Sequence, residues 1–142
     1  MAALTKDTVP RTSGVGRKRI GKMAAATTIY NGALIAVNAA GFVVAASDAA
    51  AIKVVGMATE KVANAGAAGA AEISYLTGLD IELNNAAGAI VAAGDKALCY
   101  VADDNSVSTA AAMTNDVIAG FVAEFTTTKV WVYVDELIGR LA

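Results

Sequence analysis

Residues 72–83 read EISYLTGLDIEL, and their alternation decides the fold class. Ile73, Tyr75, Leu79, Ile81 and Leu83 fall on one phase; Glu72, Ser74, Gly78, Asp80 and Glu82 fall on the other. A period of two puts one set of side chains on a buried sheet face and the other in water, so the stretch predicts a half-buried strand. KVWVYVDE, residues 129–136, alternates in the same way. There Val130, Val132 and Val134 form the expected core face, with Trp131 and Tyr133 on the opposite one.

Alanine is the strongest helix former by intrinsic propensity, and this chain is full of it. Pattern outweighs propensity here. Short β-branched runs (ALIAV, GFVV, IKVVG, DVIAGFV) are separated by NG, NAAG, NAGAAG, NN, AAGD, DDNS and TND. Turn signals at that density predict many short strands. The fold class expected is all-β: a single small β-barrel or sandwich of short strands. AAGAIVAAG, residues 86–94, is read as one short helix.

The strands are written twice in one order, which predicts an internal duplication. VVGMATE (54–60) aligns with IAGFVAE (118–124), setting Gly56 over Gly120 and Glu60 over Glu124. GALIAVNAAGFVV from Gly32 follows the pattern of GDKALCYVADDNSV from Gly94, an offset of 62 residues. ISYL (73–76) parallels WVYV (131–134), with Tyr75 over Tyr133. Each half would be marginal alone, so the expectation is that both close one barrel around one core.

Charge divides the chain differently. Residues 1–22 hold six cations against Asp7, whereas the other 120 residues hold five cations against twelve acids. The domain reading is a basic N-terminal arm, residues 1–22, on an acidic β-barrel body, residues 23–142. The arm contains GRKRIGKM (16–23), one residue short of a phosphate-binding loop. Met23 stands where that loop needs a hydroxyl for Mg²⁺, and the polar segment before it supplies no buried strand. A basic, extended arm, disordered in isolation, is the better reading.

Groups for catalysis are few. The chain has no histidine, and its one cysteine, Cys99, lies in the apolar run ALCYV, where an inert buried thiol is expected. Asp103-Asp104 and Asp135-Glu136 read as turn or solvated carboxylates. No enzyme activity, cofactor or metal is expected. No secretory signal is read at the N-terminus.

TTIYNGALIAVNAAGFVV (27–44), VVGMATEKVANAGAAGA (54–70), AAGDKALCYVADDNSVS (92–108) and DVIAGFVAEFTTTKVWVYV (116–134) together resemble the capsid cement, or head decoration, proteins of tailed bacteriophages. The resemblance runs from about Ala24 to Val134 and rests on structural motifs. It implies a virion structural protein that binds the outside of the assembled head in many copies and stabilises it against packaged DNA. The partners implied are the major capsid protein and neighbouring copies of the chain. On this reading Arg11, Arg17, Lys18, Arg19 and Lys22 form a capsid-binding arm, with a merely solvated tail as the alternative. Trp131 and Tyr133 either form a subunit interface or lie under a loop. A nucleic-acid-binding structural protein using the basic arm is the second functional reading; it lacks an aromatic-studded basic face. No membrane partner is expected.

Overall fold

The computed structural model describes residues 3–8, 10–92 and 96–139. The chain is all-β, with thirteen strands among those residues. In order they are β1 (Thr12–Ser13), β2 (Arg17–Lys22), β3 (Thr27–Ile29), β4 (Leu34–Val37), β5 (Val43–Ala45), β6 (Lys53–Ala58) and β7 (Val62–Asn64). β8 (Glu72–Thr77), β9 (Leu79–Asn85), β10 (Leu98–Asp103), β11 (Ser106–Ser108), β12 (Ile118–Phe125) and β13 (Lys129–Val134) follow, then the short helix α1 (Glu136–Gly139). Within the stretch read as a helix, the described part holds a 3₁₀ turn at Ala86–Gly88; residues 93–95 lie outside the described residues.

EISYLTGLDIEL alternates throughout, yet it is two strands in two sheets. The break is at Gly78, whose φ of +79° an L side chain rarely adopts. Its N–H donates to the carbonyl of Val134, anchoring the turn. Burial keeps its phase across the break, with Ile73, Tyr75, Thr77, Leu79, Ile81 and Leu83 all buried, so periodicity alone could not reveal it.

The break separates two five-stranded units. The second is closed: β9, β11, β10, β12 and β13 pair in turn, and β13 returns to β9 through six residue pairs from Lys129↔Asn84 to Val134↔Leu79. β1 adds to the outer part of β9. The first is an antiparallel sheet in the order β2-β8-β6-β4-β5, whose two ends meet at a single parallel bridge, Met23↔Val43. β3 and β7 form a separate two-stranded ribbon. The expectation of a single barrel or sandwich is thereby corrected: the halves do not close one ring together.

The two units share their pairing in detail. Leu34↔Met57 and Ile35↔Gly56 on β4 and β6 correspond to Leu98↔Phe121 and Cys99↔Gly120 on β10 and β12. Directly after each, the register slips past one residue, Val55 in one unit and Ala119 in the other. Gly56 and Gly120 lie beside these bulges, and a Cβ on either would overlap a neighbouring carbonyl oxygen, that of Leu76 or of Tyr133. Two expected alignments shift accordingly. The observed spacing places Leu34 over Leu98, an offset of 64 residues in place of 62, and Gly94 itself lies outside the described residues. Leu76, not Tyr75, takes the place of Tyr133, since Met57↔Leu76 matches Phe121↔Tyr133.

Nor is there one core. The smaller cluster (Met23, Ile29, Ala33, Ile35, Val43, Val55, Ala58, Ile73, Tyr75) belongs to the first unit. The larger fills the second unit with Ile81, Leu83, Cys99, Val101, Val107, Val122, Val130 and Val132, and runs on into Leu34, Ala36, Val54 and Met57. Those four carry the outward side of β4 and β6, so the seam between units is a continuation of a core. Burying a Leu, Ile or Val side chain contributes about 1.5–3 kcal/mol, enough to weld the units. Asp48 adds a polar staple, accepting the backbone N–H groups of Thr114 and Asn115, which hold its carboxyl below the usual range.

Candidate interaction surface

The N-terminal residues do not form a free arm. Leu4 N–H donates to Asp104 Oδ1 at 2.8 Å, Thr8 N–H donates to the Asn31 carbonyl, and Asp7 Oδ1 accepts from Asn31 N–H. Glu82 N–H then donates to the Arg11 carbonyl, and Thr12 and Ser13 pair with β9. Residues 17–22, the heart of the basic stretch, are β2, paired over their whole length with β8. The expectation of an arm disordered in isolation is corrected by these contacts. GRKRIGKM is a strand because β8 supplies a ladder for it, despite four cations in six residues.

The predicted arm residues part into three groups. Arg11 reaches Glu82 at 3.6 Å and lies over the Trp131 ring, 5.4 Å from its centroid. Arg17 reaches Asp135 and Glu136 at 3.6 and 3.7 Å, and Arg19 Nε holds Glu136 Oε1 at 2.8 Å. Arg11, Arg17 and Arg19 thus reach carboxylates of their own chain. Lys18 and Lys22 lie on the other face, exposed, flanking Ile20. Asp135 and Glu136, read as solvated, are the partners that sequence missed; the signal was a basic N-terminal stretch in a chain with an acidic C-terminal turn.

β2 is the molecule's unusual strand. All its residues but Gly21 are exposed, and Ile20 is 65 % accessible although it pairs with Ser74 of β8. Val15, just before it, is 92 % exposed. Its edge distal to β8 takes part in no strand pairing among the described residues except at its far end, where Met23 bridges Val43. Edge strands of this kind present unpaired N–H and C=O groups to any incoming chain.

A second exposed patch lies on β12 and β13. Val130, Val132 and Val134 point into the core, as expected, and Trp131 and Tyr133 point out. Trp131 is half-covered by Arg11 in its own chain. Tyr133 stays 37 % exposed and pairs across the strands with Phe121, 41 % exposed; Tyr133 Oη donates to Asp135 Oδ2 at 3.2 Å. So the structure parts Trp131, which is half-covered, from Tyr133, which is open. Beside Trp131, a shallow groove of about 510 Å³ is lined by Arg11, Asp80 and Glu124.

Four further polar groups, Asn64, Asn85, Cys99 and Asp104, are buried. Cys99 is buried, and desolvation pushes its thiol up to about 12. Asp104 is buried rather than solvated, its carboxyl raised chiefly by desolvation. Asn85 is a buried cross-link: its Nδ2 donates to the Ile90 and Thr126 carbonyls, and its Oδ1 accepts from Ile90 N–H. Asn64 does similar work in the first unit, donating to the Ala24 and Ala67 carbonyls. Neither the models of known protein families nor the curated proteins compared with this chain match it.

Proposed function

We propose that the chain is a virion structural protein, a decoration or cement protein that binds the outer surface of an assembled phage head in many copies, beside the major capsid protein and neighbouring copies of itself. The observation that carries the reading is β2: a strand built into a rigid body yet exposing basic and apolar side chains together with an open edge. Phe121 and Tyr133 add an apolar patch on the other unit. A rigid body with more than one sticky surface can bridge several subunits, and simultaneous engagement multiplies modest affinities. Binding the mature lattice alone would stabilise that state by mass action. The matched registers, bulges and glycines of the two units favour an origin by internal duplication. The nucleic-acid reading is less well supported, because Arg11, Arg17 and Arg19 are engaged by carboxylates of the same chain.

The test is mass spectrometry and cryo-electron microscopy of virions of the virus whose genome carries the gene. Hundreds of copies on the outer surface are expected. Absence from virions, or a position inside against DNA, would overturn the proposal.

A further inference from the structure

β9 and β2 hold the same place in their units. β9 lies between β13 and β11, and β2 lies between β8 and, at Met23, β5. The pairs Asn84↔Lys129 and Lys22↔Glu72 correspond, as do the hydrogen bonds from Asn85 N–H to Thr128 O and from Met23 N–H to Ala71 O. Met23 therefore turns its backbone toward the β8 side, and Ala24 N–H turns the other way, to Val43 O. Strand alternation then directs the backbone groups of Lys18, Ile20 and Lys22 away from β8.

On β9 the matching outward groups are used. Glu82 N–H donates to Arg11 O, and β1 lies along this edge. The edge is acidic, carrying Asp80 and Glu82, and the segment it holds brings Arg11 beside Glu82. On β2 the same positions are Lys18 and Ile20, and no described strand occupies them. Glu60 and Glu72, the carboxylates near these lysines, belong to the β8 side of the strand.

We infer that the outer edge of β2 is a docking site for an extended acidic segment of another protein, added as a further strand to the first unit. Backbone groups of Lys18 and Ile20 form the ladder, an apolar residue of the partner covers Ile20, and carboxylates flanking it meet Lys18 and Lys22. A second copy of this chain is the wrong occupant for that edge. Antiparallel pairing of two β2 strands about Ile20 sets Lys18 against Lys22 of the other copy, and like charges directly opposite are destabilising. The inference deepens the capsid reading by naming the partner's chemistry, but it stands on the β2 edge alone.

The experiment uses the full chain and a labelled synthetic peptide of alternating glutamate and valine, with a lysine–valine peptide and a single-stranded oligonucleotide as competitors. Anisotropy should show the glutamate peptide binding at least about tenfold more tightly than the lysine peptide, with charge setting the preference. Amide exchange at Ile20 should slow in the complex. Ile20→Pro removes an N–H that β8 does not use, so the fold persists, checked by an unchanged circular dichroism melt, while binding is lost. Lys18→Glu with Lys22→Glu should exchange the peptide preference. No binding, binding undiminished in Ile20→Pro, or an oligonucleotide that competes as well as the peptide would overturn the inference. A chain found in virions whose β2 binds no acidic peptide would sink this inference and leave the capsid reading intact; peptide binding without virion localisation would do the reverse.

Discussion

Arg17, Arg19 and Gly21 of β2 stand where Leu79, Ile81 and Leu83 of β9 stand, as the pairings with β8 and β13 show. In the second unit those three side chains fill the ring. In the first, the arginines turn to Asp135 and Glu136, and Gly21 leaves room for Val43 and the Tyr75 ring. Tyr75 replaces the smaller Val132 at the matching position of β8, so the volume given up by one strand is recovered from its neighbour. The same topology is thus filled from different strands. The unit that gets nothing apolar from its first strand keeps that strand exposed, and there the proposed interaction surface lies.

The comparison breaks first at the shared glycines. Gly56→Ala and Gly120→Ala should each cost about 3 kcal/mol or more in urea unfolding, since backbone must move to admit the methyl group. Tolerance at one site but not the other would show that the bulges are not equivalent. Next, Ile81→Ala should cost about 2–5 kcal/mol as a buried deletion. Arg19→Ala, at the matching position, should cost only about 0–1 kcal/mol, as the loss of a half-exposed ion pair. Equal losses would mean that β2 is as much a core strand as β9.

Thiol labelling sharpens the comparison further. Cys99 is buried, with its thiol pushed up to about 12, so native protein at pH 8 should resist alkylation. Ile35 is its counterpart in the first unit. Ile35→Cys in a Cys99→Ala background should label about tenfold faster than Cys99 in the native chain, because opening β2 breaks fewer buried contacts. The smallest effect is electrostatic. Asp104 has its carboxyl raised above 3.8 by burial, so the folded state takes up its proton more readily than the unfolded chain. Relative to Asp104→Asn, the native chain should gain stability as pH falls, fully below 3.8, and lose that gain as pH rises through the raised value. A flat difference between the two melts would place the carboxylate in water.

Much of the fold was legible because burial and periodicity speak together. The alternation of KVWVYV fixed a strand and its inward valines, and the glycine match, Gly56 with Gly120, pointed to the repeat. What escaped was connectivity. Nothing in EISYLTGLDIEL marks Gly78 as a border, because the phase of buried residues is the same on both sides. Charge misled at the N-terminus: six cations in 22 residues read as a basic arm disordered in isolation, yet Glu82, Asp135 and Glu136, the partners of Arg11, Arg17 and Arg19, lie more than 60 residues away in sequence. Composition cannot report such pairings. Trp131 and Tyr133 share one face of a strand, and the path of Arg11 helps to separate the half-covered ring from the open one.

Amide hydrogen exchange across β2 and β9, read residue by residue by NMR, tests the central claim most directly. Arg19 and Gly21, facing β8, and Glu82, bonded to Arg11, should exchange slowly, while Lys18 and Ile20 exchange nearly as fast as free peptide. Uniformly fast exchange from residue 17 to residue 22 would restore the disordered arm, and slow exchange at Lys18 and Ile20 would mean that the edge is already taken; either contradicts a folded strand with one open side.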